Sequence, residues 1–148
     1  MRHRLLLAVP FIFACAKGET PPADSAAMAA APAALTEADF AGTWSGTATA
    51  EGDTTVLAHW SIMCATGTCR LTTAENPKDT VVSSYVLDAD SAMGTTQPFA
   101  DATQGGTMVT EKWAGKVSGN QITGHGTTTL VAKPDSSTRF AFTGTKLP

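Results

Sequence analysis

Between Thr43 and Phe142 the chain repeatedly alternates side-chain types with a period of two, in runs bounded by turn-forming residues. That period puts successive side chains on opposite faces of an extended strand, and a helix cannot use it. In the first run Trp44, Gly46 and Ala48 share one face, Thr43, Ser45, Thr47 and Thr49 the other, and Ala50-Glu51-Gly52-Asp53 turns the chain. Val56, Ala58, Trp60, Ile62 and Cys64 then alternate with Leu57, His59, Ser61 and Met63. Cys69 to Thr73 forms a third run, followed by the turn Glu75-Asn76-Pro77-Lys78-Asp79. Val81, Ser83, Tyr85 and Leu87 alternate with Val82, Ser84, Val86 and Asp88. After a long connection Val109, Trp113 and Val117 share a face, Ser118-Gly119-Asn120 turns, and Ile122, Thr128 and Leu130 follow. Lys133-Pro134-Asp135-Ser136 reads as a turn, and Phe140 and Phe142 lie on a last strand. The pattern predicts seven strands, with room for an eighth near Gly94 to Phe99, and no run with helical periodicity.

Composition agrees with this pattern. Residues 37–148 contain 22 Thr and 12 Gly in 112 positions, and Pro only at Pro77, Pro98, Pro134 and Pro148. Thr and Val suit a pleated surface, whereas Gly and Asp suit turns. The predicted class is therefore all-β, an antiparallel up-and-down meander of seven or eight strands. A long meander leaves two unpaired edges unless it closes on itself, so a small closed barrel is expected. An eight-stranded barrel either fills its interior with side chains or holds one small ligand.

Gly42-Thr43-Trp44 resembles the Gly-x-Trp motif on the first strand of lipocalins and related calycins. The resemblance covers about a dozen residues, in a domain shorter than a typical lipocalin and without its C-terminal helix. It implies that Trp44 plugs the closed end of the barrel beneath an Arg from a late strand, for which Arg139 is the match in position and type. The barrel interior, or ligand-binding set, is then expected to include Trp44, Trp60, Tyr85, Glu111, Trp113, Arg139, Phe140 and Phe142. The other reading of Trp44 is a buried Trp at the start of any β-domain.

The N-terminus reads as an address. Arg2 and Arg4 precede an apolar stretch, Leu5 to Ala14, of the length of a signal-peptide h-region and too short to span a bilayer. Ile12-Phe13-Ala14-Cys15 resembles a bacterial lipobox, although Phe13 is unusual at its position. The resemblance implies a signal peptide over 1–14, cleavage before Cys15 and a lipid anchor on Cys15. An ordinary secretory signal with a chance Cys is the alternative. Several acyl chains, each buried CH2 contributing about 0.8 kcal/mol, would hold the protein on a membrane. Ala16 stands where some sorting systems read an Asp for inner-membrane retention, which implies the outer membrane, facing the periplasm, with the inner membrane as the alternative. Residues 16–36 contain nine Ala and three Pro among 21 positions and no aromatic. Such a stretch cannot bury enough apolar surface to offset its ordering entropy, so 15–36 is read as the lipidated Cys and a linker, and 37–148 as the domain.

Cys64-Ala65-Thr66-Gly67-Thr68-Cys69 carries a second inference. With Thr66-Gly67 as a two-residue turn, Ala65 pairs with Thr68 and Cys64 with Cys69. The second pair is then the non-hydrogen-bonded one, with Cα atoms about 4.5 Å apart, a separation that a disulfide tolerates. An exported domain meets an oxidising compartment, and a disulfide is expected.

Few chemical functions survive the same reading. A net charge of -3 excludes a nucleic-acid binder driven by bulk electrostatics. No nucleophile-elbow, zinc-protease or phosphate-loop motif is present, and His59 and His125 fall on faces opposite their strands' large apolar residues. Asp88-Ala89-Asp90-Ser91-Ala92-Met93-Gly94 begins like a calcium loop but departs from it in its later ligands, and reads as turn chemistry. No metal, cofactor or catalytic residue is assigned. Glu111 shares the parity of Val109 and Trp113. On an inward face it needs a partner or a polar ligand; the alternatives are a strand bulge or a place at the open rim. Ser91 to Gly106 is either a lid over the barrel mouth or a short eighth strand with two turns. The expected function is a lipid-anchored, non-enzymatic envelope barrel that binds a small apolar or amphipathic molecule. The alternative is an envelope protein-interaction module; small anchored calycin-like barrels include protease and lysozyme inhibitors that work through exposed loops.

Overall fold

The computed structural model describes residues 34–148. Cys15, the signal segment and all but the last few residues of the linker lie outside the described residues. One short helix, α1 (Glu37–Phe40), precedes nine strands: β1 (Gly42–Ala50), β2 (Val56–Ala65), β3 (Thr68–Thr73), β4 (Val81–Asp88), β5 (Ser91–Thr96), β6 (Phe99–Asp101), β7 (Thr107–Ser118), β8 (Gln121–Leu130) and β9 (Lys133–Lys146). A 3-10 turn, Ala102–Gln104, lies between β6 and β7.

Every pairing is antiparallel. The sheet runs β1 to β5 in chain order, passes from β5 to β7, and continues through β8 to β9, which pairs back onto β1. Eight strands therefore close, and the edges expected to be a hazard in an open meander are gone. The predicted all-β closed barrel is what forms. The eighth strand is Ser91–Thr96, three residues upstream of the sequence-based placement, and it is a stave of the barrel with β4 and β7 on its two sides. Only the remainder of the 91–106 connection, β6 and the 3-10 turn, lies off the ring, with β6 paired to the start of β7.

One strand boundary differs from expectation. Lys133-Pro134-Asp135-Ser136 is the start of β9, and the chain reverses at Val131-Ala132. Leu130 pairs with Lys133 and Thr129 with Ser137, so Pro134 falls in the register shift between them. Proline lacks the N–H that a ladder requires, and an unpaired irregularity accommodates it.

The two ends of the barrel are built differently. At one end the reversals are tight: Thr66-Gly67, Ala89-Asp90 and Gly119-Asn120. At the other, three connections are longer, over 51–55, 74–80 and 97–106, and the fourth is the short reversal at Val131-Ala132. The tight end is closed by the segment before β1. Leu35 N–H donates to Ala89 C=O at 2.6 Å, and Thr36 caps α1 in a reciprocal box with Asp39. The domain thus takes in Leu35 and Thr36, two residues before the boundary expected from composition.

Packing follows from that closure. Phe40 and Trp44 are 0% and 1% exposed and form one cluster with Cys64, Cys69, Tyr85, Ala92, Val117 and Ile122. Trp44 Nε1 donates to the Phe40 carbonyl at 2.8 Å, so the plug is anchored at its polar atom as well as by its ring. Phe40 and Tyr85 meet edge to face, 4.9 Å between centroids, and the Tyr85 hydroxyl donates to Glu37.

Candidate functional site

Above this plug the barrel is hollow. A cavity of about 1000 Å³ extends from Phe40 and Trp44 to the end bearing the long connections. Its wall combines the inward aromatics Trp60, Trp113, Phe140 and Phe142 with Glu111 and, near the mouth, residues 98–104.

The register explains why the space exists. Trp60 on β2 is level with Gly46 on β1, which is level with Gly144 on β9. With no Cβ at either position, the indole lies flat over two neighbouring strands. A Cβ built on Gly144 would come 2.2 Å from Trp60 Cη2. The same arrangement recurs where Trp113 covers Gly94 and Phe140 covers Gly126. Each large ring is pressed against the wall by a glycine beside it, and the centre of the barrel stays open. Phe142 links the rings, with centroids 6.1 Å from Trp60 and 6.4 Å from Trp113, both edge to face.

The polar groups of the wall are few. Trp113 Nε1 donates to Ser83 Oγ at 3.1 Å. Trp60 Nε1 is buried without a hydrogen-bond partner. Glu111 sits on β7 with no bulge, since the β7–β8 register is unbroken from Val109 to Ser118. Its parity points it inward and the strand-bulge alternative falls; it lies toward the mouth, beside Thr96 at the end of β5. Thr128 on β8 donates its hydroxyl to Glu111 Oε1 at 3.0 Å, and the Glu111 amide donates to Thr96 Oγ1 on β5 at 2.8 Å. Burial pushes the Glu111 carboxyl up to about 7; the Thr128 hydrogen bond opposes this, and the negative charge of nearby Asp101 adds to it. Asp101, at the end of β6, is itself hydrogen-bonded at both oxygens. It accepts from Thr103 N–H, Thr103 Oγ1 and Gln104 Nε2 at 2.8, 2.7 and 2.8 Å.

Of the residues expected in the interior, Trp60, Glu111, Trp113, Phe140 and Phe142 line the cavity and Trp44 forms part of its floor. Tyr85 lies in the closed-end cluster. Arg139 has the opposite parity to Phe140 and is not over Trp44. Its side chain is 71% exposed at the mouth and faces Glu51 across 3.5 Å. The cation over the Trp44 ring is Lys146, 5.7 Å from the centroid, which also donates to the Asp39 carbonyl at 2.6 Å. Lys146 rather than Arg139 has the inward parity on β9 at the level of Trp44, with which it pairs.

Cys64 and Cys69 form the expected disulfide, flanked by the expected Ala65–Thr68 pair. It lies in the closed-end cluster, away from the mouth. Within Asp88 to Gly94 the turn is Ala89-Asp90, joining the end of β4 to the start of β5, and Asp90 pairs with Lys116 at 2.7 Å. Among the described residues no group of three or more His, Cys, Asp or Glu is placed to hold a metal ion. His59 is exposed and faces Glu75 at 3.5 Å, and His125 is exposed on the outer wall.

Asp101, Thr96 and the six inward glycines are the parts of the site that the sequence reading did not single out. The glycines had a visible signal, since Gly46, Gly94, Gly115, Gly124, Gly126 and Gly144 all fall on the inward parity of their strands. Asp101 had none, because its place depends on a three-residue strand. Comparison with protein-family models, with curated proteins and with solved structures finds no match to this chain.

Proposed function

We propose that this chain is a cell-envelope protein held on a membrane, the outer one facing the periplasm, by a lipid on Cys15, and that its barrel binds one small apolar or amphipathic molecule without catalysing a reaction. The observation that carries the binding reading is the cavity of about 1000 Å³ inside a closed barrel, lined by seven aromatic side chains, four of them in its wall. Cavities of this size and lining are typical of small-molecule sites, where apolar walls supply affinity and a few polar groups set orientation. The anchor rests on the register of basic residues, apolar stretch, small Ala14 and Cys15. Replacing Cys15 by Ser should release the protein from the membrane fraction; retention of that variant on the membrane would contradict the anchor.

Binding is tested by titrating the neutral fluorophore N-phenyl-1-naphthylamine. The reading predicts saturable enhancement at one site per chain. Ala58→Phe, which fills the cavity from β2, should weaken it severalfold. No enhancement, or enhancement indifferent to Ala58→Phe, would contradict the reading.

A further inference from the structure

The cavity wall is lopsided in charge. Two carboxylates, Glu111 and Asp101, lie inside it, while the cationic side chains that reach its perimeter, Lys78 and Arg139, are exposed. Asp101 is engaged at both oxygens, Oδ1 by Thr103 and Oδ2 by Gln104. Glu111 is not: Thr128 donates to Oε1, and no described side chain donates to Oε2. Aromatic rings occupy the levels beside it, with Trp113 two residues further along β7 and Phe140 level with Trp113 through Gly126. An enclosed carboxylate with an open acceptor favours a donor, and most of all a cationic one. Aromatic faces favour the same charge.

We propose that the molecule filling the barrel is a hydrophobic amine, an aliphatic or aromatic body with one protonated nitrogen bound at Glu111. This rests on the reading of the barrel as a binding cavity. A fatty acid offers the same apolar body but brings a third negative charge beside Glu111 and Asp101. A neutral alcohol fits the walls and can donate to the carboxylate, but it brings no charge to balance it. The upward shift of the Glu111 carboxyl is consistent with an anion that lacks a counter-charge in the empty barrel. Asp101 is the titratable group facing it; Thr96 on β5 and Thr128 on β8 are its neutral neighbours.

The test is calorimetric titration with decylamine, decanol and decanoate. At about pH 8 decylamine should bind about tenfold more tightly than decanol, or better, because it adds an opposite charge to the hydrogen bond that either headgroup can donate. Decanoate should bind most weakly. Glu111→Gln should bring amine and alcohol to near equality while decanol binding is kept, which also shows that the variant is folded. Independently of any variant, the wild-type ratio should shrink toward about pH 5.5 as Glu111 takes up a proton. Equal binding of amine and alcohol, tighter binding of decanoate, a preference that survives Glu111→Gln, or a ratio flat with pH would each overturn the amine proposal while leaving the cavity reading intact. Binding of none of the three would remove the cavity reading itself.

Discussion

Glu111 is a residue whose cost and use have the same origin. Its carboxyl rises from 4.5 to about 7 on folding, so the folded state holds its proton more tightly than the unfolded chain does. The resulting penalty is absent below the unfolded value, grows as pH rises between the two, and is complete above about 7, where it amounts to about 3 kcal/mol. Urea unfolding of the empty protein should therefore show stability falling from about pH 5 to pH 8, and Glu111→Gln should flatten that fall and exceed wild type at the upper end; a pH profile unchanged by the variant would contradict the assignment. Thr66 carries a cost of a different kind. Its φ of 42° and the 73° of Gly67 define a turn in which both central residues are left-handed, a conformation that a β-branched side chain resists and Asn tolerates. Thr66→Asn should raise the melting temperature by a few degrees, equivalent to roughly 0.5–1 kcal/mol. At this scale parity was the legible signal. It placed Glu111 and the four cavity aromatics inward, and it also predicts that Arg139, next to Phe140, points out. The motif resemblance had assigned Arg139 to Trp44, but identity of charge could not tell it from Lys146; the pairing of Lys146 with Trp44 does.

Among the elements, the β2–β3 hairpin was legible to the residue, because a two-residue turn fixes register and register fixes which Cys faces which. Its disulfide closes a short ring, so replacing both Cys64 and Cys69 by Ala should lower unfolding free energy by about 2 kcal/mol in denaturant titrations. The glycine positions give a sharper test. On Gly46 a Cβ would sit 1.9 Å from the Thr143 carbonyl oxygen, a backbone atom; on Gly144 the nearest atoms belong to the Trp60 ring. Alanine at either position should destabilise by about 2 kcal/mol. Shortening Trp60 to Val should recover much of that loss for Gly144→Ala, measured as a double-mutant cycle, and little of it for Gly46→Ala. Equal recovery at both would mean that the indole does not lie across Gly144 as described. The start of β9 was misread because Pro and Asp are strong turn residues on average, whereas here a register shift absorbs them inside a strand.

For the whole molecule, closure followed from the meander alone, since two edges of a long antiparallel sheet must be paired or protected. Its hollowness did not follow. Interior volume depends on how rings lie relative to the wall, and that is set by glycines on neighbouring strands, which only the cross-strand register brings together. Nor did the sequence reveal that α1 would close one end while the three long connections gather at the other, which makes one end a plug and the other a mouth.

Whether this mouth opens on an interior binding site is decided by following backbone and indole resonances of the labelled protein while decylamine is added. Shifts are expected at Trp60, Glu111, Trp113, Thr128 and Phe140, with the indole N–H of Trp44, held by the Phe40 carbonyl, little changed. Shifts confined to outer-wall residues such as Val86 and Met93, which are exposed neighbours on β4 and β5, would contradict an interior site.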